Sequence, residues 1–404
     1  MGNAHAVGDH KIQNPGNLKA ASTLTTLFSV FALVGIVAFA LTYKSDPARA
    51  WASLLGGHFY FMAIAMGGLF FVAIQWITSS MWSSPVRRLA EAFTAYLPFV
   101  LISSVMVFLG AKSLYIWTHE DHVIGDVILE GKQGYLNLKF MIIRTVIAVI
   151  GWNIFARILV RGSLDVDAGV SKYKDVYIKN RAFGVGFIAF FAITFSMAAF
   201  DQLMSLDPHW FSTMFGVYVF AGAYQSFYAV LAIVVICMKR AGYLNKIINE
   251  NHIHDIAKWM FAFTVFWAYT GFSQYMLIWY ANMPEETGYF LLRFNPGWEK
   301  ISIGLFMGKF IFPFLALLPR KNKRTESVVL MVAFWILAMQ FLDLNWMIQP
   351  QFSAAGLRVG FAEIGTWLGF LGIFGLLVVG FLKKNPVVAI KDSLIEESVH
   401  HHHI

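Results

Sequence analysis

Lys309 and Pro313 are the first residues whose types and spacing suggest chemistry. Lys309 lies about eleven residues into an apolar run, 298–318, and a proline at i+4 removes the amide that would have bonded the Lys309 carbonyl. An ammonium and a freed carbonyl therefore coincide in a greasy setting. That pairing suits a proton or ion pathway, or an ion pair with Asp343 that aligns helices. Asp343 stands three residues after Gln340 in the next apolar run, so both belong to one helix face. Three more groups extend the pattern. Glu91, Thr94 and Pro98 fall at i, i+3 and i+7 on one face, Thr194 and Asp201 are seven apart on another, and Arg144 sits inside a fourth run. Glu91 also reads as an ordinary first-turn glutamate stabilised by the helix dipole. An ionised side chain at the centre of a bilayer costs about 2.5–3.5 kcal/mol on insertion scales, so such groups turn toward a protein interior and a partner. Glu91, Arg144, Asp201, Lys309 and Asp343 are together the expected polar path, with a purely structural network as the alternative.

The elements that must position these groups are membrane helices. Of the 404 residues, 58% are apolar and only 13% charged, about half the charged share of a soluble domain. Ten apolar segments approach the roughly 20 residues a spanning helix needs: 23–43, 53–78, 89–116, 136–159, 182–204, 210–238, 256–280, 298–318, 327–348 and 361–382. With the N-terminus inside, about two-thirds of the Lys and Arg fall on the cytoplasmic side, as the positive-inside rule requires. Both termini are then cytoplasmic. The fold class expected is all-α and polytopic, with a cytoplasmic segment 1–22, a transmembrane domain 23–384 and a tail 385–404. Short links suggest antiparallel neighbours, hence two four-helix bundles, about 53–204 and 210–348, with the first and last helices peripheral. The net charge of +8 is a topogenic and lipid-contact signal, and nucleic acid need not be invoked.

Cofactor chemistry finds little purchase in this sequence. The single cysteine, Cys237, excludes an internal disulfide and a cysteine-ligated iron–sulfur cluster. A bis-histidine haem needs two intramembrane histidines, yet only His58 lies within a segment; His119, His122 and His209 fall in outer loops, His252 and His254 in an inner one. No phosphate-binding glycine loop and no Ser/His/Asp set has credible spacing. Two polar stripes, Tyr218/Gly222/Gln225 and Thr264/Trp267/Gly271/Gln274, suit interhelical packing or the lining of a path or a quinone-sized cleft. Composition leaves two classes open: a proton- or quinone-handling respiratory subunit, and a stand-alone proton-coupled secondary transporter.

Three stretches narrow this: "SLDPHWFSTMFGVYVFAGA" (205–223), "FAFTVFWAYTGFSQYMLIWYANMPEET" (261–287) and "MWSSPVRRLAEAF" (81–93). Together the chain resembles the NrfD/polysulfide-reductase type of membrane subunit, and within it the bacterial quinol:cytochrome c oxidoreductase called alternative complex III, over most of its length from the second to the ninth segment. Length and outer loops look more like the smaller of that complex's two ten-helix paralogues. The resemblance implies a bacterial inner-membrane location and partners: a sister quinol-binding subunit, an iron–sulfur protein, multihaem cytochrome c subunits and lipids, with a terminal oxidase as a further candidate. Haem c and iron–sulfur clusters would reside in those partners and no cofactor in this chain, with quinol a candidate ligand.

On this resemblance the Asp207-Pro208 pair stops the fifth helix and sets a turn, and His209 and Trp210 form an outer-face docking corner. A plain interfacial turn explains the same residues. Asp201, Asp207 and His209 are expected near an outer proton exit or a quinone headgroup. A quinone site takes a histidine and a carboxylate, which His58 with Asp201 or Asp207 would supply. The expected division of labour gives this chain a proton half-channel and a scaffold, with quinol oxidation in the sister subunit.

Overall fold

The computed structural model describes residues 16–18 and 21–401. The N-terminal segment 1–22, with Lys11 and Lys19, thus lies mostly outside the described residues, as does the very end of the tail. Among the described residues 81% are helical and no strand occurs. Ten long helices follow one another there: α1 (Ala21–Ser45), α2 (Pro47–Thr78), α3 (Ser84–Leu109), α4 (Leu138–Asp167), α5 (Tyr173–Gln202), α6 (Phe215–Arg240), α7 (Glu250–Ala281), α8 (Glu299–Leu317), α9 (Glu326–Ile348) and α10 (Phe361–Lys384). All but α7 are long and apolar enough to cross a membrane. The 32 residues of α7 have the length, but Thr264, Trp267, Thr270 and Gln274 make it less greasy. The chain is a multi-pass, all-α membrane protein.

Local chemistry sets the helix ends. Asp46 caps α2 by accepting from the Arg49 amide at 3.1 Å, just before Pro47, where a missing N–H costs nothing. Asn137 caps α4 through the Phe140 amide at 2.8 Å. Asn249 and His252 exchange bonds at the start of α7, the Asn249 side chain accepting from the His252 amide and the Asn249 amide donating to His252 Nδ1, a reciprocal box. α3 passes through a 3-10 turn at Thr94–Tyr96, because Pro98 has no amide to return to the Thr94 carbonyl.

α2 and α6 occupy the centre, with 78% of each apolar window buried, whereas α1 buries only 11%. α2 packs on α3, α4 and α5; α6 packs on α7 and α9, and α8 fits between those two. α2 and α6 also meet each other, and α10 lies along α2 and α3 with α1 outside it. The α1–α10 contact is built from small residues: a methyl on Gly35 would run into the backbone of Gly369, and one on Gly372 into that of Ala32. Such close backbone approach gives dispersion contact where no water drives association.

Several helices begin earlier or end later than the sequence expectation, among them α2, α4, α5 and α7, and two differences bear on the site. α3 spans Ser84–Leu109 rather than 89–116, so Arg87 and Arg88 stand inside a helix and are buried. α5 ends at Gln202, before Asp207-Pro208, because a separate 3-10 turn, Met204–Leu206, intervenes. His252 and His254 are also helical, in the first turns of α7.

Candidate functional site

Lys309 sits in a π-helical turn, Phe306–Ile311, inserted into α8. Pro313 cannot donate to the Lys309 carbonyl, so the α-helical ladder is interrupted here, and the backbone takes a wider hydrogen-bonding pattern at the break. Lys309 Nζ donates at 2.5 Å to Gln340 Oε1 and at 2.5 Å to Asp343 Oδ2, both on α9. Asp343 also accepts from the Tyr218 hydroxyl at 2.6 Å and from the Trp267 indole N–H at 3.1 Å. The Lys309 ammonium lies 4.7 Å from the centre of the Trp267 ring. Four helices thus converge on one fully buried ion pair. Gly222 on α6 makes room for it, since a methyl there would come within 2.8 Å of Gln340 Oε1 and 3.1 Å of Lys309 Nζ. The two polar stripes face each other across this site, joined lower down by Gln225 Nε2 donating to Thr264 at 2.8 Å.

A second pair occupies the other bundle. Arg144 on α4 donates through Nε and Nη2, each at 2.8 Å, to the two oxygens of Asp201 on α5. Its guanidinium lies over Tyr135 and Phe140, 3.9 and 4.3 Å from their ring centres. This two-pronged geometry is the strong form of a carboxylate contact. Beside it is a cavity of about 120 Å³ lined by Trp152, Thr194 and Gln202. His58 Nδ1 pairs with the Ser103 hydroxyl at 2.7 Å, and its Nε2 is buried without a hydrogen-bond partner. No hydrogen bond joins His58 to Asp201 or Asp207 among the described residues.

Glu91 belongs to a third cluster, near the start of α3. Arg88 donates to it at 2.6 Å and also pairs with Asp167 of α4. Arg87 pairs at 2.6 Å with Asp392 of the C-terminal tail, which accepts from Ser84 as well, and lies 4.2 Å over the Trp76 ring. Glu91 is therefore fixed by two arginines, not by a helix terminus. The five groups of the expected path resolve into three clusters, and no ion pair links one cluster to another among the described residues.

The corner Ser205 to Gly216 ties together the loops at one end of the helices. His209 Nε2 pairs with Asp126 at 2.6 Å, and this bond together with the Ile128 and Leu129 amides holds the Asp126 carboxyl below its ordinary range. Lys132 donates to the Pro208 carbonyl at 2.5 Å, and the Trp117 indole to that of Ser205 at 3.1 Å. Asp207 turns elsewhere. Burial pushes its carboxyl upward, opposed by the charge of Arg293. Trp210 stacks on Tyr289, ring centres 3.8 Å apart, which sets the corner on the short helix Pro284–Phe294. The corner thus joins the α3–α4 loops to the helix that follows α7.

Sequence reasoning did not reach Arg293, Asp167 or Asp392. Arg293 is fully buried and donates to the Tyr289, Trp346 and Met347 carbonyls. Each of these lies outside an apolar run, where a charge carries no signal of burial. Among the described residues no group of His, Cys, Asp and Glu has the geometry of a metal site. No protein-family model matches the chain, and no curated protein matches its sequence. The resemblance drawn from three motifs stands on those motifs.

Proposed function

We propose that this chain is an integral membrane subunit of a quinol-oxidising respiratory complex in a bacterial inner membrane, carrying a proton half-channel and a scaffold beside a quinol-oxidising sister subunit. The observation that carries the proton reading is the Lys309–Asp343 pair in its π-helical turn. Fully buried ion pairs are often no more stable than a packed apolar replacement, and π-helical turns occur frequently at functional sites. A charge retained in so irregular a turn has a use beyond packing. With Lys309, Tyr218 and Trp267 give Asp343 three hydrogen-bond donors, a connected set of polar groups of the kind a proton path needs. The Arg144–Asp201 pair would add a fixed charged position along the path near the outer surface, and Glu91 a carboxylate near the inner surface. The quinol-linked context rests on the three motifs, and the outer corner is the surface proposed to meet periplasmic partners.

The test is turnover and proton release by the assembled complex in proteoliposomes with Lys309→Met or Glu91→Gln. Electron transfer that persists while proton translocation falls supports the half-channel. An intact complex with both rates unchanged makes the clusters structural and removes the proton reading.

A further inference from the structure

α3 and α4 do not close on each other along their whole length. The 3-10 turn at Thr94–Tyr96 interrupts α3. After it, Leu97–Leu109 packs on α4; before it, Arg88 reaches across to the Ser163 carbonyl and to Asp167. Between these two fastenings a cleft of about 490 Å³ stays open, walled by Thr94, Pro98 and Leu101 of α3 and by α4 from Val149 to Val160. Leu101, Ile150 and Ile154 in its walls are exposed, on the surface where the hydrocarbon of a bilayer would lie. The cleft is therefore a groove that opens sideways into lipid.

Its length and its one free charge narrow the occupant. Val149 to Val160 is eleven residues of helix, about 16 Å at 1.5 Å per residue, or one leaflet of a ~30 Å hydrocarbon core. Most polar donors in the walls are committed. The Thr94 hydroxyl donates to the Glu91 carbonyl at 2.6 Å, and the Asn153 amide to the Leu97 and Val149 carbonyls at 3.2 and 2.8 Å. Arg157 is different: it is exposed and lines the cleft, with no hydrogen bond or ion pair among the described residues. Arg161, one turn further along α4 and outside the cleft, pairs with Asp165 at 3.8 Å. The distribution of Lys and Arg assigns this end of α4 to the cytoplasm, the leaflet whose anionic lipids attract basic residues and fill basic pockets between spanning helices.

We infer that the cleft holds one phospholipid of net negative charge, its phosphate on Arg157 and an acyl chain lying along the groove toward Val149 and Leu101. The guanidinium supplies a two-pronged donor that matches a phosphate, and the apolar walls take the chain. A neutral amphiphile would leave Arg157 without a counter-charge, and a zwitterionic headgroup brings a cation of its own. A spanning helix of a partner fits worse, because it would run through both leaflets whereas the groove covers one. The site stands apart from the proposed proton path: none of Glu91, Arg144, Asp201, Lys309 and Asp343 lines it. A lipid seated here would also fill the gap that the interruption of α3 leaves beside α4, and so brace the first bundle.

Native mass spectrometry of the full-length chain released from detergent counts bound lipids, with dioleoyl phosphatidylglycerol and dioleoyl phosphatidylcholine as probes. A diazirine-bearing phosphatidylglycerol locates the site. One tightly held phosphatidylglycerol is expected, preferred over phosphatidylcholine and cross-linked within residues 94–101 or 149–160. Its affinity should fall about tenfold in Arg157→Gln, the size of one lost charge-assisted hydrogen bond. Arg161→Gln removes an equal charge from the same helix and should leave the affinity unchanged. Ile154→Trp, which obstructs the groove from an exposed position, should weaken both lipids. Equal affinity for the two lipids, equal losses in Arg157→Gln and Arg161→Gln, a cross-link elsewhere, or displacement of the lipid by free glycerol 3-phosphate overturns the inference. So does failure of the same probe to label the cleft in the assembled complex, where a partner subunit would then cover it.

Discussion

Replacing Lys309 by Met leaves Asp343 as a buried carboxylate with no cation. Removing one partner of a buried pair costs about 3–5 kcal/mol, chiefly the penalty of the stranded charge. Asp343 would keep the Tyr218 and Trp267 donors, which places Lys309→Met at the low end, near 3 kcal/mol. Asp343→Leu is the harsher change. It strands the ammonium with only Gln340 and the face of Trp267 and orphans the Tyr218 hydroxyl and the Trp267 N–H, so about 5 kcal/mol is expected. The double variant carries no unpaired charge and loses only neutral hydrogen bonds. Its cost should fall at least about 2 kcal/mol short of the sum of the two singles, the coupling expected of residues in direct contact. Equilibrium unfolding in mixed micelles, read by Trp fluorescence at a fixed detergent ratio, measures all four proteins. Strict additivity, or a Lys309→Met protein as stable as wild type to within about 0.5 kcal/mol, would refute the reasoning, because no buried charge would then depend on its partner.

Three further outcomes follow from the other clusters. Arg144→Met should cost about 3–5 kcal/mol by stranding Asp201, and adding Asp201→Leu should recover part of it in the same assay. The Asp126–His209 link responds to acid. Because Asp126 is held below its ordinary value of 3.8, its contribution is present above the ordinary carboxylate range and is lost as pH falls through the lowered folded value. Hydrogen exchange in residues 119–137 should therefore rise on acidification below about pH 4, and at pH 7 in His209→Leu. Asp392→Asn should loosen the tail from Ser84 and Arg87, seen as faster proteolysis between residues 385 and 399 with the membrane helices unaffected; protection equal to wild type would mean that apolar contacts alone seat the tail.

What could be read from the sequence tracks where a charge is costly. Lys309, Asp343, Arg144 and Asp201 stand in apolar runs, so their presence alone demanded an interior partner, and the i, i+3 spacing of Gln340 and Asp343 puts both on the face that Lys309 meets. Pro313 marked a break in α8, although a proline is equally compatible with a kink; the π-helical turn depends on how α8 packs on α7 and α9. The Arg87–Arg88–Glu91 cluster was illegible for the opposite reason. Arg87 and Arg88 look like topogenic loop residues, and the burial of Arg87 requires Asp392, from a tail about three hundred residues away, to fold back upon it. The end of α5, expected at 204, falls at Gln202; what the sequence did not display is the 3-10 turn Met204–Leu206 that follows, with the Ser205 hydroxyl bonding the Asp201 carbonyl at 2.5 Å. The α7 polar stripe was visible as packing or as the lining of a path or cleft, and that Gln274 meets a cleft depends on the loop helix Pro284–Phe294 closing the far wall.

The two ion pairs share a plan that neither sequence run displays alone. In α2–α5 the third helix supplies Arg144 and the fourth Asp201; in α6–α9 the third supplies Lys309 and the fourth Asp343. Each carboxylate lies in the last turns of its helix, while Arg144 stands near the start of α4 and Lys309 near the middle of α8. Arg144 and Asp201 line a cavity directly, whereas Tyr218 and Trp267 stand between the Lys309–Asp343 pair and the cavity of about 320 Å³. Because four helices separate the two bundles' equivalent positions, equivalent helices run in the same direction across the membrane, so both pairs fall toward the same surface. Their chemistry differs where it matters. Arg144 is a guanidinium that stays charged, locked to both oxygens of Asp201, which favours a permanent electrostatic post. Lys309 is an ammonium that can give up its proton, set in a widened turn beside Tyr218, which favours exchange. A shared scaffold with one fixed and one labile cation argues that the second bundle is where any movement of protons through this chain would be controlled.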